Sequence, residues 1–194
     1  MFDIVCETGE FSEPLARYYF RQFMDGLKNV HDRGLAHRDL KMENVLLSGD
    51  HVLKIADFGF AAPMAGPNGD GFMRTKLGTR TYMAPEIHLR KPYKGDLVDL
   101  FASAIILFTM VCKHPPFTEA RPQDPFYKVV GGGKYDIFWQ AHERGKPKGF
   151  FSDDFKNLIS RMIALDPSNR LTMDQVRSHP WYTNPDVPKE ADVR

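Results

Sequence analysis

Apolar positions along the chain change their period several times, and each change marks the edge of an element. Between Ser12 and Gly34, Leu15, Tyr19, Phe23, Leu27 and Val30 recur near the helical repeat. Ser12-Glu13-Pro14 supplies a capping hydroxyl, an early acid for the positive end of the helix dipole and a proline tolerated in the first turn; Gly34 offers a left-handed stop. A long helix is predicted here, with all five apolar side chains in the core. The pattern then shortens: Val45-Leu46-Leu47 and Val52-Leu53-Lys54-Ile55, separated by Ser48-Gly49-Asp50-His51, read as a β-hairpin. Residues 61–71 are dense in glycine, proline and small side chains, which predicts a mobile loop. From Asp96 through Phe101, Ala102, Ile105, Ile106, Leu107, Phe108 and Met110 the chain is apolar on nearly every face. That predicts a central core helix of about 15 residues, too short to cross a bilayer. Pro115-Pro116-Phe117 is a stop, a short helix over 125–130 follows, and Gly131-Gly132-Gly133 reads as a hinge. Ser152 caps a further amphipathic helix with Phe155, Leu158, Ile159, Met162 and Ile163 inward. Asp166-Pro167-Ser168-Asn169-Arg170 then turns into residues 172–176, and His179-Pro180-Trp181 ends the pattern. The fold class is mainly α with one short β-hairpin.

Composition narrows the picture. With 194 residues, 42% of them hydrophobic, one compact domain with a sizeable core is expected. The 26 basic and 25 acidic residues leave a net charge of +1, so no long-range field favours nucleic acid or an anionic membrane, and neither is an expected partner. Cys6 and Cys112 are far apart and in no metal-ligand or redox spacing, which suits a reducing compartment, cytosol or nucleus. Met1 to Glu7 lacks the basic start and long apolar core of a signal peptide, and no run approaches a membrane span. The seven histidines form no convergent set, so zinc is not expected, and His37 reads as a structural loop residue. Lys134 after the three glycines is followed by neither Ser nor Thr, so no phosphate loop is assigned there.

The candidate chemistry lies in His37-Arg38-Asp39-Leu40-Lys41-Met42-Glu43-Asn44 and in Asp57-Phe58-Gly59 across the hairpin. One carboxylate to accept the proton of an attacking hydroxyl, a lysine to neutralise a moving phosphoryl group, and an amide and a second carboxylate to hold magnesium are the parts of phosphoryl transfer. Asp39, Lys41, Asn44 and Asp57 match those four roles in type and order. With Ala84-Pro85-Glu86 further on, these motifs resemble the eukaryotic protein kinases, with H-R-D-x-K-x-x-N and D-F-G both intact over roughly residues 1–182. Asp166 to Arg170 and His179-Pro180-Trp181 resemble the ending of the calmodulin-dependent and AMP-activated kinase groups.

The resemblance implies a C-terminal kinase lobe over residues 1–182, a short tail over 183–194, ATP and Mg²⁺ as cofactors, and protein serine or threonine as substrate. It makes Asp39 and Lys41 catalytic, gathers Lys41, Glu43, Asn44, Leu46 and Asp57 around the nucleotide, and gives the metal to Asn44 and Asp57. Leu46 lies under the adenine on this reading, whereas its residue type alone equally fits an ordinary inward strand position. Glu43 also matches the position that accepts a substrate arginine in basophilic kinases, so a basic-directed preference is expected. Residues 57–86 look like an activation segment, with Thr75 where many relatives are phosphorylated and Arg38 as the phosphate's partner. Thr79, Glu86, Asp99 and Arg170 take structural roles: Thr79 on the catalytic aspartate and lysine, Asp99 on the loop backbone, Arg170 on Glu86. Leu100, Phe101 and Ala102 depart from the family's usual tryptophan and serine after that aspartate, which alters packing alone. No Gly-rich loop, strand lysine or partner glutamate of the strand-rich upper lobe occurs in the sequence. The expectation is therefore a kinase lobe inactive by itself, missing its N-lobe as partner; the alternative is a catalytically silent binding or regulatory module.

Overall fold

A computed structural model describes Met1, Val5, Glu7 and residues 9–189, so the readings that fall on Cys6, on residues 2–4 and on the tail from 190 to 194 lie outside the described residues. The elements in order are α1 (Glu13–Asp32), β1 (Leu35–Ala36), β2 (Val45–Leu47), β3 (Leu53–Ile55), β4 (Ala62–Pro63), α2 (Pro85–His88), α3 (Gly95–Cys112), α4 (Pro125–Gly131), α5 (Tyr135–Glu143), α6 (Asp153–Met162), α7 (Met173–Arg177) and α8 (Pro180–Thr183). Helices dominate, as the kinase-lobe fold class requires, and the strands form two small antiparallel pairs.

In α1, Tyr19, Phe23 and Leu27 are buried, but Leu15 and Val30 are only half-buried, and Ala16, Phe20 and Met24 complete the inward face. A series stepping by four drifts about 40° round the helix per step, which carries Leu15 to the margin of the stripe, while Val30 lies in the last turn. Ser12 stands at the helix start with extended backbone, yet its side chain makes no capping bond. The first turn is fastened from outside instead. Glu13 accepts from the Ser152 amide and hydroxyl and from Trp181 Nε1, each at 2.7 Å, so one carboxylate joins the starts of α1 and α6 to α8. Arg17 donates to the Trp181 carbonyl at 2.6 Å and stacks on its ring, and Arg21 donates to the Tyr182 carbonyl at 2.8 Å.

The predicted hairpin is present with Val45 opposite Ile55 and Leu47 opposite Leu53; its second strand starts at Leu53, one residue late. The first residues of the stretch read as a mobile loop are a strand, β4, paired to β1 with Leu35 opposite Pro63. Such two-residue pairings carry no periodicity to detect.

Helix α3 has 18 residues, three more than predicted, because Gly95 and Val111–Cys112 belong to it; Lys113 ends it with φ 66°. It is long and apolar enough to cross a membrane, contrary to the sequence reading, but 89% of it is buried within the protein. Phe101 packs with Phe117 and Tyr127, and Phe108 with Phe138, Trp139 and Phe151. At Gly95 a Cβ would lie 2.4 Å from the Ala36 Cβ, so only glycine lets α3 approach β1 this closely. Cys112 is buried in α3, and burial pushes its thiol well above the ordinary range, which makes it inert.

Beyond the glycine hinge comes α5, which the sequence reading passed over; Phe138, Trp139 and His142 are its buried face. Ser152 does cap α6, accepting from the Phe155 amide at 3.1 Å, and Thr172 with Gln175 forms a capping box at α7. His142 donates to the Pro116 carbonyl at 3.1 Å among the rings of Phe108, Phe126 and Phe138. Burial first, and the neighbouring His114 second, push its pKa down from 6.5 to about 4. A histidine depressed in the fold stabilises it fully above the unfolded pKa and loses that contribution as pH falls through the folded one. Between pH 6.5 and 5, His142 alone should withdraw roughly 1.5 kcal/mol. Urea midpoints should therefore fall across this window, and His142→Phe should flatten the fall; an unchanged slope in the variant would refute the assignment.

Candidate active site

The loop from His37 to Asn44 leaves β1 and crosses the first turns of α3, where Asp99 meets it. The Asp99 side chain is only 1% exposed and accepts three hydrogen bonds. Its Oδ1 takes the Arg38 amide at 2.8 Å; its Oδ2 takes the His37 amide at 2.8 Å and His31 Nε2 at 2.9 Å. A carboxylate this deep is tolerable only when so satisfied. In return it holds Arg38 at φ 69°, a left-handed conformation that costs a non-glycine residue energy. His37 then connects loop to hairpin: Nδ1 accepts the Asp39 amide at 3.3 Å, and Nε2 donates to the Ala56 carbonyl at 3.0 Å.

Asp39 is consequently fixed from several directions. Its Oδ1 accepts from the Thr79 amide at 2.7 Å and the Thr79 hydroxyl at 2.8 Å, and its Oδ2 accepts from Lys41 Nζ at 3.1 Å. Lys41 Nζ also lies 3.5 Å from Thr79 Oγ1. The approach of Thr79 requires Gly78, whose φ is 104° and whose missing Cβ would stand 2.8 Å from the Arg38 carbonyl oxygen. Behind the carboxylate, among Leu40, Met83, Val98 and Ala102, the cavity open to a water measures about 10 Å³, hardly room for one molecule.

Asn44 donates through Nδ2 to the Asp39 carbonyl at 3.0 Å, and its backbone carbonyl accepts the Ala56 amide at 2.9 Å. The side-chain Oδ1 is its remaining acceptor. Asp57 follows Ala56 with φ 62°, exposed, with Oδ1 accepting the Gly59 amide at 3.2 Å. An amide oxygen and an exposed carboxylate are hard donors of the kind Mg²⁺ takes in small number, completing its shell with water and phosphate. The residue types therefore fit that ion. Leu46 is 49% exposed on the same face as a strand residue that does not point inward, which removes the reading of it as ordinary core. Phe58 and Phe60 are exposed as well, and Glu43 stands free beside Asn44.

Thr75 is exposed, and its carbonyl accepts from the Tyr93 hydroxyl at 2.9 Å. Arg38 donates through Nε to the Phe60 carbonyl at 2.7 Å, and among the described residues no hydrogen bond joins Arg38 to Thr75. Glu86 and Arg170 form a buried bidentate pair, both bonds 2.7 Å, with Arg170 also donating to the Ala164 carbonyl and lying over the Phe101 ring. Two contributors escaped the sequence reading. The Tyr82 hydroxyl accepts the Met42 amide at 3.4 Å, and burial pushes its pKa up to about 12. His31, in the last turn of α1, bonds Asp99; neither residue carries a motif that would have marked it.

A loop held in this way, with H-R-D and D-F-G motifs brought together across the hairpin, defines a class, and the family comparison agrees with it. Residues 1–182 match the protein kinase domain, and the chain belongs to that family. Among curated proteins it is similar to a probable serine/threonine-protein kinase, fhkC, of Dictyostelium discoideum, 35% identical over 95% of this chain and 30% of the relative. It is also similar to CBL-interacting protein kinase 11 of Oryza sativa, 33% identical over 95% of this chain and 35% of the relative, and to serine/threonine-protein kinase SAPK9 of the same species, 33% identical over 94% and 49%. The chain spans about a third to a half of the length of these relatives. They place it near the calmodulin-dependent and AMP-activated kinase groups.

Replacing Asp99 by alanine leaves two buried backbone donors unpaired, at about 1–3 kcal/mol each. Urea unfolding of Asp99→Ala should show a loss of that combined size. Native-state hydrogen exchange should show the His37 and Arg38 amides exchanging much faster, and protection unchanged at those two amides would contradict the tethering role.

Proposed function

We propose that this chain is the lower, substrate-binding lobe of a serine/threonine protein kinase acting in a reducing compartment, cytosol or nucleus. The observation that carries the reading is the Asp39 carboxylate, clamped by Thr79 and Lys41 and joined through Asn44 and Ala56 to Asp57. ATP with Mg²⁺ supplies the phosphoryl group and the charge that stabilises its transfer. Asn44 and Asp57 would hold the metal, and Leu46 would carry the adenine. Of the two Asp39 oxygens, Oδ2 has the fewer donors and takes the proton of the incoming serine or threonine hydroxyl. Lys41, already 3.1 Å from that oxygen, offsets the negative charge of the phosphoryl group as it passes. Glu43, exposed beside this loop, favours an arginine in the substrate. Thr75 is the proposed phosphorylation point, with Arg38 exchanging the Phe60 carbonyl for the phosphate.

Among the described residues nothing grips a nucleotide from above, and Leu46, Phe58 and Phe60 present apolar surface to solvent. A strand-rich lobe is proposed to cover that face, and the 194-residue chain alone to transfer no phosphate. In the protein with that lobe present, Asp39→Asn should lower turnover about 10²- to 10⁴-fold, and Asp57→Asn should abolish most of it. Transfer of γ-phosphate to an arginine-containing serine peptide is the measurement. Full activity in Asp57→Asn would remove the metal assignment, and transfer by the 194-residue chain above its own Asp39→Asn blank would show that the lower lobe suffices.

A further inference from the structure

The residue after Thr79 is Arg80, whose side chain is 82% exposed although its backbone is firmly held. The Arg80 carbonyl accepts from His88 Nε2 at 3.2 Å, and His88 Nδ1 accepts from Arg121 Nε at 3.1 Å. With one nitrogen donating and the other accepting, His88 is neutral, and burial together with Arg121 lowers its pKa further. One carboxylate answers both arginines: Glu119 lies 3.7 Å from Arg80 and 3.1 Å from Arg121. Two cations around one acid and one neutral imidazole leave an excess of positive charge, in the chain segment directly after the threonine whose hydroxyl bonds Asp39.

We propose that Arg80 and Arg121 form a receptor for an anionic side chain, carboxylate or phosphate, carried by the protein substrate close to its phosphoacceptor. The receptor is opposite in sign to Glu43, an exposed acid of the loop before Asn44. The substrate recognised is then bipolar, with a basic residue for Glu43 and an acidic one for Arg80. His88 is a positioning residue, fixing the Arg80 backbone and orienting Arg121. Glu119 competes with the substrate's anion and bridges the two guanidinium groups when none is bound. This inference rests on the proposed reading of the chain as a substrate-binding kinase lobe.

The test is equilibrium binding of fluorescein-labelled serine peptides to the 194-residue chain, read by anisotropy and needing no turnover. Peptides carry asparagine, aspartate or phosphoserine at successive positions on either side of the serine, each with and without an arginine. At one or two adjacent positions, aspartate should bind about three- to tenfold more tightly than asparagine, the scale of one or two exposed ion pairs. Phosphoserine exceeding aspartate would identify a phosphate receptor, and equality a carboxylate one. Arg80→Ala should erase the preference, Arg80→Lys retain most of it, Glu119→Gln enlarge it, and added salt weaken it. If the arginine preference persists while Arg80→Ala leaves aspartate and asparagine discriminated as before, or neither variant nor wild type discriminates, the receptor is refuted alone. If no serine peptide binds, with or without charge, the reading of a substrate-binding lobe falls with it.

Discussion

The buried carboxylate of Asp99 is the constraint from which the rest of the site follows. Burial of an anion in the first turns of a core helix is unfavourable until donors surround it, and the available donors are the amides of His37 and Arg38 with the ring of His31. Satisfying the carboxylate therefore fixes the loop, and fixing the loop forces Arg38 into a strained conformation that turns Asp39 toward Thr79. Positioning of the charged atoms is thus a by-product of hydrogen-bond satisfaction deeper in the core. The lack of room for water behind Asp39 adds a steric restraint to the polar one.

Much of the architecture was legible because its signals are local. Glycine at 34 and serine at 152 mark helix ends through side-chain or backbone chemistry within a few residues. Ser12 shows the limit of such signals: the residue type was right for a cap, yet the neighbouring Glu13 engages distant partners and the hydroxyl goes unused. Helix α3 was underestimated since an all-apolar helix has no polar face to mark where it stops, and α5 was missed because its aromatic stripe is short and follows three glycines.

The site residues stand differently. The motifs around Asp39 and Asp57 name them in the sequence, but their mutual geometry depends on pairs separated by long stretches of chain, such as Asp39 with Thr79 and Glu86 with Arg170. The positive cluster was invisible for the same reason. Arg80, Arg121 and Glu119 are unremarkable surface residues until α2 and the turn before α4 are folded together.

The way in which the segment after Asp57 is anchored has a consequence of its own. Its beginning is paired to β1 through Ala62, and its course is caught again where Met73 bridges Tyr93 by two backbone bonds of 2.8 and 2.9 Å. The free stretch is therefore a short closed loop, and the entropy of a closed loop grows only with the logarithm of its length. Thr75 lies just outside that loop, its own carbonyl tied to Tyr93, so its backbone has already surrendered most of its conformational freedom. A charged group arriving there would meet preorganised chain, and the work left for it would be to rotate side chains such as Arg38 rather than to freeze a flexible strand of polypeptide.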